Sequence, residues 1–280
     1  MFADIALARR IERAEAAMSA AMVDAVCRRS GARPFVGPIG QGYAIYAGPA
    51  SPFNKIIGAG LDESPLDQLA LERAEEVFAA HGAPARAEIC VLANPDVFAI
   101  LCRRGYRFET VEHVLALRLP APGRSLASED MAITVARVED EVAAGEWIDA
   151  LVNGFAAPDV TETGVTGESF PCDVLRETFS NYRGMEGFRQ YLARCGTHTA
   201  GGGGLYLGHG IGILCGAATL PAFRRRGVQA ALLRRRLADA AAAGCDLAVV
   251  TTAPGSKSQQ NAQRQGFALL YARAVLVRTP

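Results

Sequence analysis

A surplus of charge of either sign is absent from this sequence. Lys+Arg 29 balance Asp+Glu 29 over 280 residues, with formal net charge +0 and a pI of about 6.9. A chain-wide basic field, the footprint of a nucleic-acid binder, is therefore excluded. Cysteine pairs at C-x-x-C spacing are also missing. The seven cysteines (Cys27, Cys90, Cys102, Cys172, Cys195, Cys215 and Cys245) are odd in number and scattered. Neither a disulfide framework nor a metal site follows from them, and free thiols in a reducing cytoplasm fit best. No uninterrupted apolar run is long enough to span a membrane. The start, Met1-Phe2-Ala3-Asp4, brings an acid early and runs into Arg9, Arg10, Glu12, Arg13 and Glu15. It reads as an amphipathic helix and not as a signal peptide. The expectation is a cytoplasmic protein with no metal, no nucleic acid and no membrane among its partners; its oligomeric state is not readable.

What is present is a large apolar share, 50% of residues, enough for one large or two ordinary domains. A long Ala-rich helix spans about 4–29. Strands are expected over 40–47 and 55–61, a helix over 66–80, a strand over 87–93, a short helix over 96–104 and a strand over 108–119. Pro120-Ala121-Pro122-Gly123-Arg124-Ser125 begins a linker that extends through Asp130. Then come a strand over 133–138, a helix over 141–155, a polar loop over 156–170 and a helix over 173–182. Strands follow over 188–194, 199–207 and 211–220. A helix after Gly227 stops at Gly244, and strand 247–252, helix 256–264 and strand 268–277 complete the chain. The fold class is thus α/β, a mixed α+β sheet flanked by helices.

The two halves repeat. Aligning Gly82 with Gly244 pairs the Ala-rich helices before them and the apolar strands after them. It also pairs the Gly105-Tyr106 and Gly266-Phe267 steps and, further on, Val114-Leu115 and Val275-Leu276. The shared order implies a duplicated α/β unit. The repeat fails at one place, where Arg224, Arg225, Arg226 and Gly227 face Asp62, Glu63, Ser64 and Pro65. Arginines at a glycine-led helix start make an anion site, because free N–H groups and the helix dipole point outward there. Acids and a proline in the other copy oppose one, although Pro65 is also a good helix starter.

The run Arg224-x-x-Gly227-x-Gln229, set between a strand ending Ala218-Thr219-Leu220 and a helix, resembles the signature loop of the GNAT N-acetyltransferase superfamily. Gln229 stands where that signature has a small residue. Asn261 and Arg264-x-Gly266-Phe267 extend the likeness over roughly 131–278, with residues 1–120 as a degenerate copy. The resemblance implies two tandem GNAT-like domains: 1–120 structural or cleft-shaping, 121–130 linker, and 131–280 catalytic. It further implies acetyl-CoA as co-substrate and direct transfer, in a ternary complex, to an amine. The long 156–170 loop favours a small molecule as that amine. By the same resemblance Ala218, Thr219 and Leu220 would line the pantetheine. Arg224, Arg225, Arg226, Gly227, Val228, Gln229 and Ala230 would hold the pyrophosphate, and Asn261 would bond the pantetheine or order its own helix.

The acid and base are where the likeness thins. Ala262 occupies the position of the family's usual tyrosine, which leaves Tyr271 and Ser258 as catalytic candidates. Tyr271 reads equally well as a packed ring with a wet hydroxyl. No Asp, Glu or His lies on 211–220, so a base would come from the acids of 159–168, from His209 or from water. Cys215 reads as core, Gly201–Gly204 as a bulge or close approach, Arg234–Arg236 as a solvated helix face, and Trp147 as core or cleft wall. A non-catalytic acyl-CoA sensor is the alternative function.

Overall fold

A computed structural model describes residues 1–30, 34–48, 51–120, 133–157, 160–161, 164–165 and 171–279. The expected linker, 121–130, and the acids at 159, 162 and 168 lie outside them. The chain forms two compact units, Met1–Val114 with Leu269–Pro280, and Leu115–Ala268. These do not coincide with the ranges 1–120 and 131–280 read from the sequence, because the last strand belongs with the first unit.

The N-terminal unit contains α1 (Ile5–Ser30), β1 (Phe35–Ile39), β2 (Gly42–Tyr46), β3 (Lys55–Ile57), α2 (Gln68–Ala80), β4 (Ala85–Cys90), α3 (Pro95–Arg103) and the first part of β5 (Arg107–Arg118). Its strands run β1-β2-β3-β4, with the chain's final strand next to β4. β3 and β4 are parallel, and the other pairs among β1–β4 are antiparallel. β1 was not expected as a strand. It holds Gly37 and Pro38 and pairs on one side only, with β2, so Pro38 removes no ladder bond from a second neighbour. α1 buries a helical stripe, Ala8, Ile11, Met22 and Val26, that also carries Glu12, Glu15 and Ser19.

The C-terminal unit holds the end of β5, then β6 (Ile133–Arg137), α4 (Glu141–Ala156), β7 (Val160–Thr161), β8 (Gly164–Val165), α5 (Cys172–Tyr182), β9 (Phe188–Cys195), β10 (His198–Gly208), β11 (Ile211–Thr219), α6 (Val228–Ala242), β12 (Leu247–Thr252) and α7 (Lys257–Arg264). β6, β9, β10 and β11 form an antiparallel run, β12 adds in parallel to β11, and β5 lies beside β12. β13 (Ala268–Arg278) leaves for the N-terminal unit, where it pairs antiparallel with β4. The second copy's closing strand is therefore built into the first unit, while β5, the first copy's closing strand, divides between the two.

The repeat is visible in the backbone. Gly82 and Gly244 both take positive φ, 61° and 83°, and so do Gly105 and Gly266, 90° and 89°. The hydrogen bonds at these helix ends match. Ala83 N–H donates to Phe78 O (2.9 Å) and Cys245 N–H to Ala240 O (3.0 Å). Tyr106 N–H donates to Leu101 O (3.1 Å) and Phe267 N–H to Ala262 O (3.2 Å). Each is the long-range bond of a glycine-terminated helix. The core of the C-terminal unit, Leu205, Leu214, Leu232, Ala240, Ala248 and Phe267 among others, fills the space between α6, α7 and the sheet.

Candidate active site

β11 and β12 part company. Their pairing covers Ile211 to Ile213 against Leu247 to Val249, yet β11 continues to Thr219 and β12 to Thr252. Past Ile213, the side of β11 that faced β12 therefore has no strand on it among the described residues. On the other side β10 stays paired, but Gly204 faces Cys215 and Gly202 faces Ala218. Two steps of β10 match three of β11, so β11 bulges at Gly216–Ala217, and Gly216 takes φ 50°. At the ends of the parting strands the Thr219 and Thr252 hydroxyls are buried without a hydrogen-bond partner. Orphaned buried hydroxyls call for an absent donor or acceptor.

The turn after β11 prepares a helix start of unusual openness. Pro221–Phe223 makes one tight turn, Arg225 takes φ 62°, and Gly227, at φ 84°, begins α6. Five other helix starts are satisfied by side chains, Asp4 for α1, Asp67 for α2, Asn94 for α3, Asp140 for α4 and Ser256 for α7, whereas α5, which starts after Pro171, has no side-chain cap. Gly227 offers none, so among the described residues the N–H groups of Val228, Gln229 and Ala230 have no acceptor. The first helical bond is Ala231 N–H to Gly227 O, 3.0 Å.

The three arginines divide. Arg224 is half-buried and braces the end of α4, donating to Ala157 O and Gly154 O as well as to Thr219 O. Arg225 and Arg226 are exposed, with Arg226 over the Phe223 ring at 5.6 Å. The Leu220 N–H is engaged, donating to Ala200 O (3.0 Å), and its carbonyl already accepts one bond, from Phe223 (2.9 Å). Ala218 is buried where Gly154 approaches so closely that a Cβ on the glycine would stand 2.5 Å from the Ala218 Cβ.

The acid candidates separate too. Ser258 is exposed on α7, Asn261 is half-buried one turn on, and Ala262 is core. Tyr271 lies on β13 in the N-terminal unit, buried, with its hydroxyl donated to Glu12 Oε1 at 2.7 Å. Burial and the neighbouring Glu12 push its pKa up. The expected proton-donor role does not fit this placement, because that proton is already committed to a carboxylate. His209 is exposed in the β10–β11 turn.

Gly201–Gly204 lie in β10, where register shifts against both neighbours, as the close-approach reading expects. Trp147, fully buried, donates its indole N–H to Gly203 O at 3.1 Å. Of the Arg234–Arg236 run, Arg235 does face outward and pairs with Asp239 (3.0 Å). Arg236 corrects the solvated-face reading: it is 3% exposed and points into the sheet. The glycines opposite were the signal for it, since only missing side chains leave room for a guanidinium there.

A parallel pair that splays beside a bulged strand, followed by an open helix start, is one half of a recurring design. The duplicated halves make the other. The chain has a tandem GNAT fold. Solved structures agree. A GCN5-related N-acetyltransferase from Kribbella flavida matches 95% of this chain and 95% of its own at 19% identity, TM-score 0.65. A tandem GNAT protein from the clavulanic acid biosynthesis pathway matches over 90% and 81% at 12% identity, TM-score 0.59. A GCN5-related N-acetyltransferase from Sphaerobacter thermophilus matches over 76% and 66% at 14%, TM-score 0.54. No protein-family model and no curated protein matches the sequence. Within this GNAT fold no helix among the described residues is long and apolar enough to cross a membrane, and no metal-holding group of side chains occurs among them.

Proposed function

We propose that the C-terminal unit is a cytoplasmic acetyltransferase site that binds acetyl-CoA and passes the acetyl group directly to an amine, with a small molecule as acceptor. The observation that carries this reading is the unpaired β11 edge leading into the uncapped start of α6. An extended ligand arm can add to a strand edge through main-chain bonds. A phosphate can meet the N–H groups of Val228, Gln229 and Ala230 with Arg225 and Arg226 beside it. Thr219 and Thr252 supply hydroxyls that lack a partner. The donor set therefore fits a molecule with an amide-bearing arm and a pyrophosphate. Acetyl-CoA supplies an activated acyl group when bound. The bulge near Ala218 would present backbone N–H to the acyl oxygen and stabilise charge there. Holding the amine beside the thioester would contribute much of the acceleration. Asn261, on α7 after β12, would bond the pantetheine or order its own helix, and Ser258 on the same helix would stand as the remaining proton-donor candidate.

Calorimetric titration of acetyl-CoA into the full chain tests this. One-to-one binding is expected, lost by at least ~100-fold in Gly227→Val, which strains the αL start, and weakened about tenfold in Arg225→Glu with Arg226→Glu. Folded wild type that ignores acetyl-CoA would sink the reading.

The alternative, a non-catalytic acyl-CoA sensor, is favoured by one observation. Ala262 replaces the usual acid, and the Tyr271 hydroxyl is held by Glu12. Release of free CoA thiol with any of a panel of small amines decides for the enzyme; tight binding without turnover across the panel decides for the sensor.

A further inference from the structure

Arg236 sits midway along α6, buried to 3% exposure. Its Nε donates to Leu232 O at 3.1 Å and its Nη1 to Gly204 O at 3.0 Å. Both acceptors are neutral carbonyls, and no carboxylate among the described residues pairs with it. Burial lowers its pKa to about 10, so it remains a cation at neutral pH. A buried charge without a counter-ion is strongly unfavourable and is normally found only where something compensates. The strand beneath makes room for it: a Cβ on Gly203 would stand 3.1 Å from the guanidinium carbon. Gly204 faces Cys215 across the ladder, and Cys215 precedes the Gly216 bulge. The cation thus rests on the strand that neighbours β11, at the residue pair next to the bulge.

We propose that Arg236 places an uncompensated positive field behind the β11 bulge, where it stabilises negative charge on the sulfur and oxygen of a thioester bound along that edge. This rests on the acetyl-CoA reading above. In the transfer the amine nitrogen bonds to the acyl carbon and the carbon–sulfur bond breaks. Sulfur leaves with the electron pair as thiolate, and the proton shed by the amine neutralises it through solvent. Both the acyl oxygen and the sulfur become more negative on the way. A fixed cation in a dry, low-dielectric setting favours that change without reorganising. Arg236 touches no reacting atom and is a positioning residue: it holds β10 to α6 and sets the field. Its missing counter-ion then has a reason, since a carboxylate beside it would cancel the field.

The experiment titrates CoA and acetyl-CoA separately into the full chain at about pH 6 and about pH 9, below and above the ordinary thiol range. Wild type, Arg236→Lys and Arg236→Met are compared. A field that favours thiolate makes wild type bind CoA at least ~tenfold more tightly, relative to acetyl-CoA, at the higher pH. Methionine loses it, and so does lysine, whose ammonium is discharged by burial without a counter-ion at the higher pH. A purely structural role would weaken both ligands together at both pH values. A flat ratio in wild type overturns the proposal without any variant, so a poorly folding Arg236→Met cannot shield it. A ratio unchanged in folded Arg236→Met also overturns it while leaving the acetyl-CoA site standing. Failure of both ligands to bind folded wild type overturns the acetyl-CoA reading and takes this proposal with it.

Discussion

The two units apply one scaffold to opposite ends. In the C-terminal unit the parting strands leave the β11 edge open and α6 starts on a bare glycine. In the N-terminal unit the corresponding groups are answered from within. β3 and β4 pair in parallel only at Ile56 and Ile57. Beyond that, Gly60 O accepts from Asn94 N–H (3.0 Å) and Leu61 O from Arg9 Nε (2.9 Å). Asp67 accepts from Leu69 and Ala70 at the head of α2, both at 3.0 Å. Asp62 turns to the β1–β2 turn and accepts from Gln41 N–H (2.8 Å). A cavity of about 270 Å³ remains, lined by Ser64, Pro65, Leu66, Asn94, Val97 and Arg103 among others, where Asp67 and Asn94 already accept from the helix starts. Closing a helix start with a side chain makes a support; leaving it bare beside an open strand edge makes a candidate site.

The buried arginines repeat the contrast. Arg273 meets Glu12 at 2.8 Å, Glu15 at 2.5 Å and Glu112 at 3.8 Å. Arg236 meets carbonyls alone. Arg273→Met should therefore strand buried carboxylates and cost about 3–5 kcal/mol in urea unfolding, whereas Arg236→Met leaves no charge unpaired and should be near neutral. Equal costs would break the comparison.

Next in size is a pH effect. Burial, and then Glu88, raise the Glu112 carboxyl to about 7, against opposing pulls from Lys55 and Arg273, with Glu15 adding to the rise. A raised carboxyl holds its proton in the folded state. Its contribution is thus full below the unfolded value near 4.5 and is lost as pH rises through about 7. Glu112→Gln does not titrate, so it should gain on wild type across that window, reaching about 3 kcal/mol by pH 8. Denaturant midpoints at pH 5 and pH 8 read this directly; a difference independent of pH would remove Glu112 from the account.

The smallest effect concerns the cap. Asp67→Ala should cost about 1 kcal/mol. The acetyl-CoA stoichiometry should stay at one, because Pro65, Asn94 and Arg9 still close the N-terminal copy. A second equivalent bound by this variant would show the cap alone to be the barrier.

Much of this was legible in the chain itself. Helix starts and stops, the order of strands and helices, the repeat and the glycine-led turn at 227 all depend on nearby residues, and the sequence reading finds them. What it misses depends on distant partners. The periodicity of 268–277 is that of any half-buried strand, and nothing in it says that β4 is its neighbour. Tyr271 looked like a site residue because its true partner, Glu12, stands at the other end of the chain. Arg236 looked solvated because its run is uniformly basic; only the glycines facing it in β10 make it a buried cation. The bulge at Gly216 hides among small residues that read simply as strand.

The placing of β13 also sets an order in time. The bond from Arg273 to Glu12 spans 261 residues. The N-terminal unit thus takes its last structural member, Leu269–Pro280, from the end of the chain. During synthesis its first helix emerges with Glu12 and Glu15 before Arg273 is made, and β4 waits for β13 while the whole C-terminal unit is made. Contacts of such long range close slowly and last. The half of the protein that is made first is therefore the half that finishes second.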